Sequence, residues 1–201
     1  MKKTIFKKEI TIFKSKDGIL RASDAKRAGI HSQTLARMKT KGIIGQIGRG
    51  IYRLSSLPSL PQPDLVAVGL RIPQGVICLI SALAFHGITT QVPHEVHVAL
   101  RSGAEKPRIE YPPTSFYWFS KAAFEAGIAE HKIEGATVRV YSPEKTVADC
   151  FKFRNRLGLD VAIEALKLCR SEKRSPVDEL LKYARICRVE KVIKPYIESI
   201  L

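Results

Sequence analysis

The sequence predicts an α+β fold in two parts, and three observations indicate this. Residues 1–57 contain short helical segments separated by a glycine turn and followed by a hairpin pattern. Residues 58–63 contain three prolines, which stop helices and central strands and favour an extended linker. Residues 64–201 mix strand and helix signals and end in a long helical stretch. We therefore expect an N-terminal winged helix-turn-helix and a C-terminal α/β domain with a small sheet flanked by helices.

The N-terminal part is predicted to have the element order of a winged helix-turn-helix. Polar caps and glycine stops mark its helices, and alternating apolar residues mark its strands. The predicted elements are a helix from about Lys3 to Lys16, a brief strand at Ile19–Arg21, a helix from Ser23 to the Gly29 turn, a helix from the N-cap Ser32 to the C-cap Gly42, and a hairpin from Ile43 to Leu54. The brief strand is expected to join this hairpin.

The helix that starts at Ser32 has two distinct faces. Leu35 and Met38 lie three residues apart and mark the side that should be buried. The opposite side carries Gln33 and Arg37, with Ala36 beside them. Glutamine can pair with adenine, arginine with guanine, and alanine can approach a thymine methyl group, so this face suits a DNA major groove. The alternative is that these residues are ordinary solvated positions.

Positive charge is concentrated in the same part of the chain. Residues 1–57 hold 14 Lys and Arg against three acidic residues, and the rest of the chain holds 20 against 16. Arg49, at a Gly-Arg-Gly hairpin tip, is placed to enter a minor groove or to contact phosphate. We therefore expect double-stranded DNA as a partner. The predicted DNA-contacting residues are Ser32, Gln33, Thr34, Ala36, Arg37, Thr40, Lys41, Arg49, Tyr52 and Arg53, and the cluster Lys2, Lys3, Lys7 and Lys8 is placed to follow the phosphate backbone.

The second part is predicted to combine a sheet with C-terminal helices. The expected N-terminal elements are a helix over Leu65–Arg71, an apolar helix over Val76–His86, strands over Val96–Leu100 and Thr114–Phe119, and a hairpin of Ile128–Ile133 with Thr137–Tyr141. The expected C-terminal elements are a helix from the cap Ser142-Pro143 to Phe153, a turn over Asn155–Gly158, a helix over Leu159–Arg170, a second Ser-Pro cap at Ser175, and a final helix over Val189–Leu201 with Pro195 as a possible kink.

Composition indicates a soluble cytoplasmic protein. The cysteines Cys78, Cys150, Cys169 and Cys187 form no C-x-x-C pair and sit in apolar contexts, as small buried side chains do in a reducing compartment. The most apolar run, Val76–Phe85, is too short for a bilayer, which needs ~20 residues. We expect no metal site and no cofactor.

Signals for catalysis are weak. The sequence has no P-loop, no G-x-G-x-x-G between a strand and a helix, and no G-x-S-x-G elbow. The rival hypothesis is a metal-dependent nuclease targeted by the winged helix. Its candidate residues are Glu110, Glu130 and Lys132, with Glu144, Lys145 and Asp149 as further candidates. A third hypothesis is a ligand-sensing second domain with a pocket lined by Phe116, Tyr117, Trp118 and Phe119.

Three segments together resemble a known family. They are Gly48–Leu54 at the hairpin, Val76–Gly87, and Ser142–Phe151 with the helices that follow it. This combination resembles the AbiEi antitoxins of bacterial type IV toxin–antitoxin (abortive infection) systems. The resemblance implies a repressor that binds inverted repeats in its own promoter. We expect a dimer on DNA.

The same resemblance implies an antitoxin role for the second domain. That domain would counter a nucleotidyltransferase toxin without forming a stable complex with it, and the chain would catalyse nothing. Basic residues carry function in this family, which implies DNA contacts for Arg37 and Arg49 and an antitoxin surface at Lys152, Arg154 and Arg156.

Overall fold

A computed structural model describes residues 6–58, 62–133, 135–173 and 175–200. In chain order the elements are α1 (Lys7–Lys14), β1 (Ile19–Arg21), α2 (Ala22–Arg27), α3 (Ser32–Thr40), β2 (Ile44–Gly48), β3 (Ile51–Leu54), α4 (Pro63–Arg71), β4 (Val76–Ile77), α5 (Leu79–His86), β5 (Val96–Arg101), β6 (Thr114–Phe119), α6 (Lys121–Glu125), β7 (Ile128–Ile133), β8 (Ala136–Tyr141), α7 (Pro143–Lys152), α8 (Arg154–Leu157), α9 (Leu159–Lys173), α10 (Val177–Ile186) and α11 (Glu190–Glu198). The chain is α+β, as predicted.

The chain divides into two compact units. Unit 1 comprises Met1–Ile72, Ile109–Pro112 and Lys132–Val138, and unit 2 comprises the rest. The predicted linker, residues 58–63, falls partly on residues 59–61, which lie outside the described part of the chain. Pro63 already belongs to α4, which lies in unit 1. The division into domains 1–57 and 64–201 therefore stays a prediction.

Unit 1 contains the winged helix-turn-helix. Its antiparallel sheet has the order β1-β3-β2, so the brief strand does join the hairpin as predicted. Ile19 pairs with Arg53 on one side of β3, and Ile44 pairs with Leu54 on the other. The helix predicted over Lys3–Lys16 is described as α1, and residues 3–5 of that prediction lie outside the described residues.

Apolar side chains pack on both faces of this small sheet. One cluster joins α1, α2 and α3 to the sheet, and its fully buried members include Phe13 and Met38. A second cluster contains Ile19, Ile51 and Val66 from α4. Because successive strand residues point to opposite faces, Ile19 and Leu20 belong to different clusters. The wing is therefore held from two sides.

Most of a five-stranded sheet lies in unit 2, and its strand order is β6-β5-β4-β8-β7. β5 and β6 are parallel, with Val96 opposite Thr114, and β4 is antiparallel to β5. The core between this sheet and the C-terminal helices contains Leu83, Phe119 and Phe151. Both predicted single strands, the β7–β8 hairpin and the C-terminal helices are confirmed, and the turn predicted over residues 155–158 is largely the one-turn helix α8.

Three local predictions are wrong. The helix predicted over Val76–His86 begins with strand β4, because Val76 and Ile77 pair with β5, and α5 starts only at Leu79. A short apolar run does not distinguish a buried strand from a buried helix. Ser32 is the first residue of α3 and not its N-cap, which is His31. Ser175 does not cap α10, because its hydroxyl donates to Glu144 Oε1 at 2.6 Å.

The helix cap predicted at Ser142 is confirmed. Its Oγ accepts a hydrogen bond from the backbone N–H of Lys145 at 3.3 Å, and Pro143 occupies the first position of α7. Among the described residues, no helix combines the length and the apolar character that a membrane span requires.

Candidate nucleic-acid interface

The helix-turn-helix is fixed by a tight turn and a small core. Gly29 has φ +84°, a conformation that glycine adopts without steric cost, and it reverses the chain between α2 and α3. The backbone N–H of Ile30 donates to the Ala25 carbonyl at 2.8 Å and closes the turn. Leu35 and Met38 face the core, as their spacing predicted. The orientation of α3 is therefore determined by buried side chains.

The outer face of α3 is basic and polar. Ser32, Gln33, Ala36, Arg37, Thr40 and Lys41 are exposed, and Thr34 is half-buried. No acidic residue occurs in α3. The Arg37 guanidinium carbon lies 5.7 Å from the Phe6 ring centroid, and Lys41 Nζ lies 5.8 Å from it. The cluster that the sequence predicted for DNA contact thus forms one face, with two cations beside one aromatic ring.

A residue that sequence reasoning missed connects this helix to the wing. Lys39 Nζ donates to Gln46 Oε1 at 2.7 Å, across a separation of seven residues. Both side chains are exposed and polar, and the sequence alone does not show that α3 and β2 bring them together. This bond places a polar link between the recognition helix and β2.

The residues predicted on the wing occupy three different environments. Arg49 is exposed at the tip and forms an ion pair with Glu110, a residue that lies 61 positions away in the sequence. Tyr52 is half-buried against the core. Arg53 is buried, with 7% of its surface exposed, and its guanidinium donates to the carbonyls of Leu57 and Pro58. The tip is therefore the accessible basic part of the wing, and a DNA contact by Arg53 stays a prediction.

Two arginines that sequence reasoning did not select lie near the wing tip. Arg21 at the end of β1 and Arg71 at the end of α4 line a common cavity with Arg49. These positions are far apart in the sequence, and no local motif marks them as a group. Of the predicted amino-terminal lysines, Lys7 and Lys8 are exposed in α1, and residues 2 and 3 lie outside the described residues.

The residues predicted for the antitoxin surface lie at the end of α7 and in α8 of unit 2. Lys152 is half-buried. The Arg154 guanidinium donates to the Phe151 carbonyl at 2.9 Å. Arg156 is exposed and lies over Tyr117, with its guanidinium carbon 4.3 Å from the ring centroid. Arg156 therefore presents charge to solvent while an aromatic side chain fixes its position.

Beneath Arg156 lies a buried histidine. His97 is 6% exposed, and its Nε2 lies 3.3 Å from Glu95 Oε1. Its Nδ1 has no hydrogen-bond partner among the residues that the structure describes. Burial lowers the pKa of His97, the Glu95 carboxylate opposes that shift, and the Arg156 charge adds to it. Burial also raises the pKa of Tyr117.

The candidate nuclease residues have separate structural roles. Lys145 Nζ donates to Asp149 Oδ2 at 2.5 Å, and both side chains are fully buried. Glu144 accepts the hydroxyl of Ser175, and Glu110 pairs with Arg49. Glu130 and Lys132 are exposed in β7. Across the described residues, no group of three or more His, Cys, Asp or Glu side chains is arranged to hold a metal ion.

The Lys145–Asp149 pair is surrounded by core side chains. Lys145 Nζ lies 4.1 Å from the Tyr141 ring centroid, and Cys187 Sγ donates to Asp149 Oδ1 at 3.2 Å. Burial raises the pKa of Asp149, and the Lys145 ammonium opposes this. Burial also raises the pKa of Cys187 to about 12, so the thiol keeps its proton. This cluster is closed to solvent.

The aromatic residues proposed for a ligand pocket are largely part of the core. Phe116, Tyr117 and Phe119 are buried. Trp118 is 45% exposed, and its indole N–H donates to the Ala104 carbonyl at 2.9 Å. Alternation along β6 puts Tyr117 and Phe119 on the face that packs against the helices.

Comparisons with known proteins agree with this architecture. The crystal structure of the RV2827C protein from Mycobacterium tuberculosis has a similar fold, with a TM-score of 0.58 and 12% identical residues, covering 97% of this chain and 80% of that chain. At this identity the likeness shows the fold alone. A search of curated proteins finds no significant match.

The family comparison concerns the winged helix. Residues 8–55 match the family model described as "Transcriptional regulator, AbiEi antitoxin". This segment contains α1 to β3 almost entirely, and so includes both the exposed face of α3 and the wing tip. The winged helix-turn-helix of this chain is therefore similar to that of the AbiEi antitoxin transcriptional regulators, the family that the sequence resemblance predicted.

Proposed function

We propose that this protein is a DNA-binding autorepressor that also acts as an antitoxin. The observation that carries the DNA-binding role is the exposed face of α3, which contains no acidic residue and is positioned by the buried core. This helix lies within the segment that matches the family model. Gln33 and Arg37 lie on this face, and both side chains are suited to hydrogen bonds with base edges in a major groove. The target is double-stranded DNA at the promoter of the protein's own gene.

The wing adds a contact that does not read sequence. Arg49 projects from a turn in which Gly50 has φ +70°, so its target is backbone phosphate or a narrow minor groove. Inverted repeats in the promoter would be bound by two copies, one on each half-site, because the symmetry of a palindromic site mirrors that of a dimer. A dimer on DNA is accordingly part of the proposal.

The antitoxin role is assigned to unit 2. Its support is the family description of the winged helix, together with the exposed charge of Arg156, whose guanidinium lies over the Tyr117 ring. Lys152 and Arg154 precede this residue in the chain, at the end of α7 and the start of α8. The proposed opponent is a nucleotidyltransferase toxin, countered without a stable complex between the two proteins.

A pair of cell assays on the full chain tests both roles. A promoter–reporter fusion measures repression, and growth during co-expression with the proposed nucleotidyltransferase toxin measures rescue. Arg37→Ala should weaken repression and leave rescue intact, whereas Arg156→Ala should weaken rescue and leave repression intact. Arg27→Ala is the matched control, because Arg27 is 80% exposed and its one ion pair among the described residues is with Asp24 on α2.

Three outcomes would contradict the proposal. If the wild-type protein does not repress its promoter, the autorepressor role is wrong. If wild-type protein never rescues growth although it is present and folded, the antitoxin role is wrong. Co-purification of a stable complex with the toxin would contradict the proposed mode of action.

A further inference from the structure

A cavity of about 240 Å³ lies beside the wing tip in unit 1. It is several times larger than the ~30 Å³ that one water molecule occupies in the liquid. Its basic lining comes from three different elements, with Arg21 at the end of β1, Arg49 in the wing turn and Arg71 at the end of α4. Three arginines at one cavity concentrate like charge, which an anion would relieve.

One carboxylate partly balances this charge. Glu110 pairs with Arg49, and both side chains are 74% exposed. Neither Arg21 nor Arg71 forms an ion pair or a side-chain hydrogen bond with any other residue that the structure describes. Guanidinium groups present forked donors that match the oxygens of phosphate. The cavity therefore has more donor capacity than Glu110 uses.

The cavity wall is held in place by the winged-helix backbone. Arg21 pairs with Ile51 across the β1–β3 ladder. The backbone N–H of Ala22 donates to the Gly50 carbonyl at 2.7 Å, which fixes the start of α2 against the wing turn. Arg21 and Arg49 are thus positioned by the same domain that presents α3.

We propose that this cavity binds a phosphate group of the DNA backbone, and that Glu110 holds Arg49 in the free protein until that phosphate displaces it. The inference rests on the proposed DNA-binding function and deepens it, because it names Arg21 and Arg71 as phosphate contacts and Glu110 as an internal competitor. Glu110 accepts from Nη1 of Arg49, so a phosphate that takes this donor must displace the carboxylate.

Binding of the full chain to a random-sequence duplex, measured by fluorescence anisotropy over a salt series, tests this site. Glu110→Gln removes the competitor and should tighten binding by up to about fivefold, the largest effect expected for an exposed ion pair. Arg71→Gln and Arg21→Gln should each weaken binding and flatten the slope of log affinity against log salt by about 0.9. Glu105→Gln and Arg27→Gln are matched controls, each removing one exposed charge outside the cavity, and should have little effect.

A double substitution separates competition from simple charge repulsion. If Glu110 acts by holding Arg49, Glu110→Gln should no longer tighten binding in a chain that carries Arg49→Gln. An equal gain in both backgrounds would overturn the role of Glu110 as a competitor. If Arg71→Gln and Arg21→Gln behave like Arg27→Gln, the cavity contacts no phosphate and the site is wrong, while the proposed DNA-binding function stands as long as the wild-type protein still binds the duplex.

Inorganic phosphate distinguishes DNA from a free ligand as the source of the phosphate. Nuclear magnetic resonance signals of the arginine side chains, assigned through the same variants, would report phosphate at Arg21, Arg49 and Arg71. If phosphate perturbs these arginine signals but the protein binds no duplex, DNA is not the source of the phosphate. The absence of duplex binding would separately overturn the proposed function. If neither phosphate nor duplex perturbs these signals, the cavity site is wrong, and the proposed DNA-binding function then depends on whether the wild-type protein binds the duplex.

Discussion

Replacing Lys145 by methionine tests whether the buried ion pair of unit 2 is a structural element of the core. Lys145 and Asp149 are both fully buried and are joined at 2.5 Å. Methionine keeps the apolar stem of the side chain and removes the ammonium group. The Asp149 carboxylate would then be left in the core with only the weak thiol donor of Cys187.

The expected loss of stability is large. Breaking a buried ion pair by removing one partner costs about 3–5 kcal/mol, because a charge stays behind without compensation. The cation–π contacts of Lys145 with Tyr141 and Phe119 are lost as well. Adding Asp149→Asn removes the stranded charge, so the double variant should recover about 1–3 kcal/mol of this loss.

Urea unfolding followed by tryptophan fluorescence provides the measurement. Trp118 is the only tryptophan in the chain and lies in β6, so its signal reports unit 2. The deficit of Lys145→Met should also depend on pH. Burial raises the folded-state pKa of Asp149, and removing Lys145 raises it further. A raised carboxyl pKa stabilises the fold fully below its unfolded value and loses that contribution as pH rises through the folded value. The deficit should therefore be smaller at pH 5 than at pH 7.

Two results would refute this reasoning. A loss below about 1 kcal/mol in Lys145→Met would mean that the ammonium does not balance a buried charge. A double variant as unstable as the single one, with no pH dependence in either, would show that lost packing and not the stranded carboxylate dominates.

Three further predictions concern the same fold. Gly127→Ala should destabilise unit 2 more than Gly87→Ala in urea unfolding. Both glycines have positive φ, but a Cβ at Gly127 would lie 2.7 Å from Lys145 Cβ, whereas Gly87 faces open space. Equal losses of stability in the two variants would contradict the clash. Burial lowers the pKa of His97 below its unfolded value. The stability of the wild-type protein should therefore fall more steeply than that of His97→Gln as pH drops below ~6.5. Parallel curves of stability against pH would contradict this. Arg49→Ala should weaken promoter and random duplexes by similar factors in anisotropy titrations, and a loss confined to the promoter would make Arg49 a base-reading residue.

Much of the fold could be predicted because local signals agree with the packing. The spacing of Leu35 and Met38 gave the buried face of α3, and the glycine at position 29 marked the turn before it. The strand at Val76–Ile77 was missed because its pairing with β5 depends on residues about twenty positions later. Ser175 was assigned to a cap because its partner, Glu144, lies 31 positions away.

The candidate site was less predictable than the fold. The composition of α3 identified its polar face, since exposure follows directly from helical periodicity. The pairing of Arg49 with Glu110 has no local signal, because 61 positions separate the two residues in the sequence. Lys145 and Asp149 have the i, i+4 spacing of an ordinary surface pair, and only the structure shows that both are buried.

The affinity of the full chain for its own promoter, compared with a scrambled duplex at one fixed salt concentration, tests the central claim most directly. The wild-type protein should prefer the promoter. Arg37→Ala should lose about 1–3 kcal/mol of binding free energy on the promoter and much less on the scrambled duplex, because it removes a base contact. Arg27→Ala should match the wild type on both. An equal loss on both duplexes would make Arg37 a phosphate contact, and a wild-type protein with no preference for the promoter would contradict sequence-specific binding by α3.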